Sequence, residues 1–290
     1  MESFFSFLEK RVDDCSSLLC VGLDPHIPDL KEPTAAAARD FCLDLVKQTA
    51  RYAAAFKPNA AFFEVFGAEG WTALKQVIDA IKEESARMGS KIPIVLDAKR
   101  GDIASTAEAY AESAFEKLGV DCITLSPYLG KDSIEPFIKN SEKGIFLLCK
   151  TSNPGSGDLQ DLLVTEDIGQ RTEANSSDLH PSSSVPLYTH VAKLAREWNA
   201  KNNIGLVVGA THVEATKRVR AATPGLWFLA PGVGAQGGEL ESALRAGLRS
   251  DGRGMLLPIS RGISRAENPA RAAAEMRDQI LQIRVKLTSL

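Results

Sequence analysis

Asp97, Lys99, Arg100 and Asp102 crowd two acids and two bases into six residues, directly behind the apolar run IPIVL. Titratable groups of both signs at one point are the types that transfer protons and stabilise developing charge. Side chains two residues apart in a strand project to the same side, so Asp97 and Lys99 are expected to meet. A lone ion pair at a strand end fits a structural salt bridge equally well. Two other apolar runs also end in charge, however: GLDP brings Asp24 and FKPN brings Lys57. Opposite charges from three consecutive runs form a network, a better candidate site than a single pair.

A second group of residues suits an anion. GVGAQGG, residues 232–238, contains a GxGxxG spacing at Gly232, Gly234 and Gly237, and ISRG ends in Arg261. Read alone, the glycines suggest a dinucleotide fingerprint, but that belongs to the first strand–helix turn of a doubly wound unit. Here they follow the seventh of eight apolar runs. Backbone N–H groups in that loop, with Gln236 and the donor fork of Arg261, would instead hold a phosphate. A plain glycine-rich turn and a surface arginine are the alternative. Phosphate at one side and mixed charge at the other imply a phosphorylated sugar or nucleotide lying between them.

The eight apolar runs set the elements that must position these groups. They are LLCVGLD (18–24), AAAFKPN (53–59), IPIVLDAK (92–99), CITLSPY (122–128), GIFLLCKTS (144–152), IGLVVGAT (204–211), LWFLAPGVG (226–234) and MLLPISRG (255–262). Continuous apolar character, without alternation, marks strands buried on both faces. Segments of helical character separate most of them, among them residues 34–52, 67–89, 105–119 and 239–250. Eight strand–helix units in 290 residues predict an α/β fold, a (β/α)8 TIM barrel in one domain, residues 1–290. Barrels carry their chemistry at the C-terminal ends of the strands, where the charged residues fall. Residues 155–188, rich in Ser, Asp, Gly and Gln, break the rhythm and predict a loop insertion after strand five.

Composition narrows the partners. Thirty-four Lys and Arg against 37 Asp and Glu leave a net charge of −3, with no electrostatic footprint for nucleic acid or an anionic membrane. The five cysteines are odd in number and lack CxxC spacing, which suits buried free thiols in a reducing compartment. The start, MESFFSFLEKRVDD, lacks the features of a secretory signal, and no run reaches the ~18 apolar residues of a membrane span. A soluble, cytoplasmic protein is expected.

Taken in order, GLDP, FKPN, LDAKRGDIAST, CKTSNPGSGD, GLVVGAT, APGVGAQGG and PISRGI resemble the orotidine 5'-phosphate decarboxylase family, in its longer bacterial-type branch carrying DAKRGD. The resemblance runs from about residue 15 to 275. It implies conversion of orotidine 5'-monophosphate to uridine 5'-monophosphate and CO2, the last step of de novo pyrimidine synthesis, with no metal or organic cofactor. By the same resemblance Asp97 lies against the substrate carboxylate and Lys99 protonates C6 of the pyrimidine. Lys57 and Asp24 hold ribose hydroxyls, and Lys57 links the charge array. Ser152 reads the pyrimidine edge, Gln236 bridges base and phosphate, Arg261 clamps the phosphate, and Pro231 and Ser260 complete the substrate-binding set. Asp102 and Thr106 reach into a partner subunit's site, so a homodimer is implied.

Decarboxylation at that carbon leaves an electron pair in an sp2 orbital outside the ring π system, so stabilisation must come from positioned charge. Lys99 between Asp97 and Asp102 would stay protonated and act as a fixed ammonium. Three other readings compete. A magnesium-dependent relative sharing Asp-x-Lys-x-x-Asp would use an enediolate, against which FKPN and DAKRGD argue. A Schiff-base aldolase would need a lysine of lowered pKa, which flanking carboxylates disfavour. A non-catalytic phosphosugar-binding barrel would have no need of the intact charges.

Overall fold

In the computed structural model, which describes residues 2–166, 183–233 and 237–289, the eight apolar runs form one parallel sheet. Its strands are β1 (Leu19–Leu23), β2 (Ala55–Pro58), β3 (Val95–Arg100), β4 (Cys122–Leu125) and β5 (Gly144–Lys150), followed, beyond a short hairpin, by β8 (Ile204–Val208), β9 (Phe228–Leu229) and β10 (Met255–Ile259). The hairpin pairs β6 (Leu163–Glu166) antiparallel with β7 (Ser183–Pro186). Spatial order in the large sheet is β2-β1-β10-β9-β8-β5-β4-β3. Single parallel bridges, Phe56 with Ile94 and Asn59 with Asp97, join β2 to β3 and close the ring. The result is the expected (β/α)8 barrel.

The helices are α1 (Phe4–Cys15), α2 (Ala35–Thr49), α3 (Ala61–Glu64), α4 (Gly67–Met88), α5 (Ala104–Glu112) and α6 (Glu135–Ile138). They continue with α7 (Gly157–Gln160), α8 (Leu187–Trp198), α9 (Val213–Ala222), α10 (Gly237–Gly247), α11 (Arg261–Ser264) and α12 (Pro269–Thr288). Local chemistry explains several boundaries. Thr34 caps α2 by accepting the Ala37 N–H at 3.2 Å, and Asn268 caps α12 through Arg271 N–H at 2.9 Å, with Pro269 behind it. Gly89 ends α4 at φ +65°, a conformation that costs glycine little.

Helix α1 has no counterpart among the expected strand–helix units. Its Phe4, Phe5, Leu8, Val12 and Cys15 recur at helical spacing and are all buried. The first of them close the N-terminal end of the barrel: a Cβ at Gly144 would lie 2.2 Å from the Phe4 ring, and one at Gly205 would lie 2.8 Å from Phe5. Phe5 packs edge-on against Phe146 at 5.6 Å and stacks on Trp227 at 6.2 Å. With that end sealed, a ligand must enter from the strands' C-terminal ends.

One expectation is refined and another is met. The span 155–188 is not loop throughout: it contains α7, both hairpin strands and the first residues of α8, while residues 167–182 lie outside the described residues. The five cysteines are free and buried, and burial pushes the Cys20 thiol up to about 12. Among the described residues no helix is long and apolar enough to cross a membrane.

Candidate active site

A cavity of about 500 Å³ opens at the C-terminal ends of the strands. Asp24 reaches it just beyond β1, Lys57 from β2, Asp97 and Lys99 from β3, Ser152 beyond β5, Pro231 beyond β9 and Ser260 beyond β10. Seven of the expected site residues therefore converge.

Asp97 organises the charged wall. Its Oδ2 accepts a hydrogen bond from Lys57 Nζ at 2.9 Å, and its Oδ1 accepts one from Lys99 Nζ at 2.6 Å. Lys57 Nζ also lies 4.0 Å from Asp24 Oδ1. Lys57, Asp97 and Asp24 are nearly buried, whereas the Lys99 side chain is 50% exposed and faces the mouth. Burial works against the charge on Asp97, but Lys57 and Lys99, through their charges and hydrogen bonds, outweigh it and hold the carboxyl at about 2. Burial likewise opposes the Lys57 ammonium, and Asp24 and Asp97 overcome it, so its pKa is raised. Breaking such a buried pair on one side would leave a charge uncompensated.

The route by which Lys99 reaches the cavity differs from simple strand alternation. β3 pairs with β4 through Leu96 opposite Ile123 and then Arg100 opposite Leu125, so Asp97, Ala98 and Lys99 together face Thr124. This is a bulge, and Lys99 within it has φ +47°, in the left-handed region that non-glycine residues rarely occupy. Thr124 is a site residue that the sequence does not announce. It lies inside CITLSPY, where a β-branched residue reads as ordinary strand.

The end of β5 is fastened from within its own loop. Lys150 Nζ donates to Asp161 at 2.8 Å and Ser156 at 3.2 Å, and Gln160 accepts the Thr151 N–H at 2.9 Å while donating to its hydroxyl at 2.8 Å. These bonds set the backbone just before Ser152. A Cβ at Gly209 would come within 3.0 Å of Ser152, so the glycine gives that residue its room. Thr151, Asn153 and Gln160 also line the cavity and are not among the residues expected from sequence.

Among the described residues, Asp24 Oδ1 and Ser260 Oγ are buried with no hydrogen-bond partner. Orphaned polar atoms at a cavity wall suit a ligand that brings hydroxyl groups. Gly22 lines the wall between them, since a Cβ there would lie 2.8 Å from Ser260 Cβ.

The remaining expected residues fall elsewhere. Arg261 begins α11 and is exposed beside the mouth without lining the cavity. Asp102 is half-buried beyond β3, where its Oδ1 accepts the Ile103 N–H at 2.8 Å, and Thr106 is exposed on the first turn of α5. Asp102 has no ion pair with Lys99, so the ammonium is not held between two carboxylates of this chain: the chain leaves the sheet after Arg100 and carries Asp102 away. Arg100 points outward, donating to Glu64 at 2.5 Å with its guanidinium 5.0 Å from the Tyr110 ring. Gln236 lies outside the described residues.

Fold and cavity together define a (β/α)8-barrel protein whose strand-end site shares one carboxylate between two ammonium groups. A family model described as orotidine 5'-phosphate decarboxylase / HUMPS family matches residues 17–276, and the chain belongs to that family. A curated relative from Roseiflexus castenholzii (strain DSM 13941 / HLO8), named orotidine 5'-phosphate decarboxylase, is 44% identical over 286 residues, covering 97% of this chain and 96% of its own. The structure of Leishmania donovani OMP decarboxylase superposes with TM-score 0.82 at 50% identity, over 98% of this chain and 99% of that one. That of Leishmania donovani UMP synthase gives TM-score 0.83 at 53% identity, over 98% of this chain, which spans 57% of the synthase.

Proposed function

We propose that this chain decarboxylates orotidine 5'-monophosphate to uridine 5'-monophosphate and CO2, the closing step of de novo pyrimidine synthesis, without a cofactor. The observation that carries the reading is the Asp97 carboxylate held between Lys57 and Lys99 inside the mouth cavity. In this reading the bond from C6 to the carboxyl carbon breaks and its electron pair stays on C6. Lys99, the more exposed ammonium of the array, then supplies the proton. Fixed charge suits this step because the new lone pair cannot delocalise into the ring, and charges already oriented need no reorganisation. Asp97 faces the departing carboxylate, and Lys57 keeps Asp97 ionised and in place.

Substrate binding follows from the rest of the wall. Asp24 and Lys57 meet the ribose hydroxyls, Ser152 meets the pyrimidine edge, and Pro231 and Ser260 complete the enclosure. Gln236 and Arg261 take the phosphate, and Arg261 stands beside the mouth as that role needs. Asp102 and Thr106, outside this chain's cavity, complete the site of a partner subunit in a homodimer. Residues 1–290 act as one catalytic domain, with 155–188 as its insertion, and the protein works in the cytoplasm.

The family also includes a second chemistry, a magnesium-dependent one that passes through an enediolate. The Lys57 ammonium disfavours it here, because it occupies the space between Asp24 and Asp97 where a divalent cation would need both carboxylates. The test is release of CO2 and formation of uridine 5'-monophosphate from orotidine 5'-monophosphate in excess EDTA. Undiminished turnover is expected, and turnover that depends on added Mg2+ would overturn the cofactor-free reading.

A further inference from the structure

The charged array is held by a residue that carries no charge. Thr124, on β4, is 1% exposed and lies directly across from the bulge at Asp97, Ala98 and Lys99. Its hydroxyl accepts the backbone N–H of Ala98 at 3.0 Å and that of Lys99 at 2.9 Å. It donates its own proton to Asp97 Oδ1 at 3.1 Å. One donor and two acceptor lone pairs make up the capacity of a hydroxyl, so all of it is engaged here.

Each bond meets a need. Within the bulge three β3 residues face one β4 residue, so the regular ladder has no acceptors for the N–H groups of Ala98 and Lys99. Lys99 sits at φ +47°, which is costly for a residue with a Cβ and persists only where the surroundings fix it. The same Asp97 oxygen that receives the Thr124 hydroxyl receives Lys99 Nζ at 2.6 Å. A single side chain thus fixes the backbone that aims Lys99 and the carboxylate that receives it.

We propose that Thr124 is a positioning residue for the decarboxylation, its hydroxyl setting the Lys99 backbone and the Asp97 carboxylate in one geometry. This rests on the reading of the cavity as the decarboxylation site. Thr124 acts through Lys99 and Asp97, so its loss should weaken the chemical step and spare ribose and phosphate binding.

Valine keeps the shape of threonine without the hydroxyl, serine keeps the hydroxyl without the methyl group, and alanine lacks both. Thr124→Val and Thr124→Ala are expected to lower kcat by ~10- to 100-fold, the scale of one lost hydrogen bond to a charged group. Thr124→Ser should restore most of that loss, and all three should bind uridine 5'-monophosphate within about twofold of the unsubstituted chain, since an interaction specific to the transition state leaves product affinity alone. Wild-type kcat in Thr124→Val, or equal losses in the Ala and Ser variants, would overturn the inference. So would product affinity falling in step with kcat. If Thr124→Val does not fold, the comparison of Ala with Ser decides alone. An unsubstituted chain that releases no CO2 would overturn the functional reading instead, which separates the two failures.

Discussion

Lys57 Nζ and Asp97 Oδ2 lie 2.9 Å apart between neighbouring strands, both nearly buried, and each sets the charge state of the other. Asp97 is held at about 2 against an ordinary 3.8, so its contribution to stability is present above 3.8 and is lost as pH falls through about 2. Lys57 is raised above 10.5, so its contribution is present below that value and is lost as pH climbs through the folded pKa. Lys57→Met should move the Asp97 titration upward and shift acid unfolding to higher pH. Carboxyl NMR and circular dichroism would check both, and an Asp97 titration left where it was would contradict the coupling.

Gly22 makes room for Ser260. A Cβ added at this glycine would lie 2.8 Å from Ser260 Cβ and 3.3 Å from Asp24 Oδ2, so Gly22→Ala must displace one wall of the cavity. Such overpacking costs ~1–3 kcal/mol. The expected result is at least ~10-fold weaker binding of uridine 5'-monophosphate, equivalent to about 1.4 kcal/mol. Calorimetric titration would show it, and unaltered affinity would remove Gly22 from the site.

Arg220 tests the opposite end of the barrel. Its guanidinium donates to the carbonyls of Thr223, Leu226, Gly247 and Gly254 and lies 3.7 Å from the Phe228 ring centre. Arg220→Met would leave the Leu226 and Gly247 carbonyls unpaired, since Thr223 and Gly254 keep the backbone N–H groups of Leu226 and Phe228, an expected loss of about 2–4 kcal/mol. Denaturant unfolding should show the drop while kcat at low temperature stays unchanged. A stable variant with reduced kcat would contradict a purely structural role.

The proposed sharing of Asp102 between subunits has its own test. Lys99→Ala and Asp102→Ala are each expected to be inactive, and a mixture of the two should regain activity as heterodimers form with one intact site. No recovery after verified subunit exchange would contradict the shared site.

The parts of this protein legible in its sequence are those where one chemical type stands out from its surroundings. Asp24, Lys57, Asp97 and Lys99 are charges at the ends of apolar runs, and all four line one cavity. Thr124 is hidden because its hydroxyl matters only across a bulge, and a bulge arises from the pairing of two strands. Asp97 and Lys99 meet as their spacing predicts, but alternation is not the reason, since the left-handed Lys99 departs from it. Asp102 looks like a partner of Lys99 by sequence distance, and the chain's exit from β3 separates them. Helix α1 is written in the spacing of Phe4, Phe5, Leu8 and Val12, a periodicity that weighing the segment only for a targeting signal passes over.

In the proposed reaction Lys99 performs the chemistry in a cavity that the other residues build. The most direct measurement compares orotidine 5'-monophosphate turnover by the unsubstituted chain and by Lys99→Ala, with uridine 5'-monophosphate affinity measured for both. Rapid release of CO2 is expected from the former and a loss of at least ~10³-fold in the latter, the scale of removing a preorganised charge-stabilising group, while the product still binds. Turnover by Lys99→Ala at the unsubstituted rate would contradict that role of Lys99.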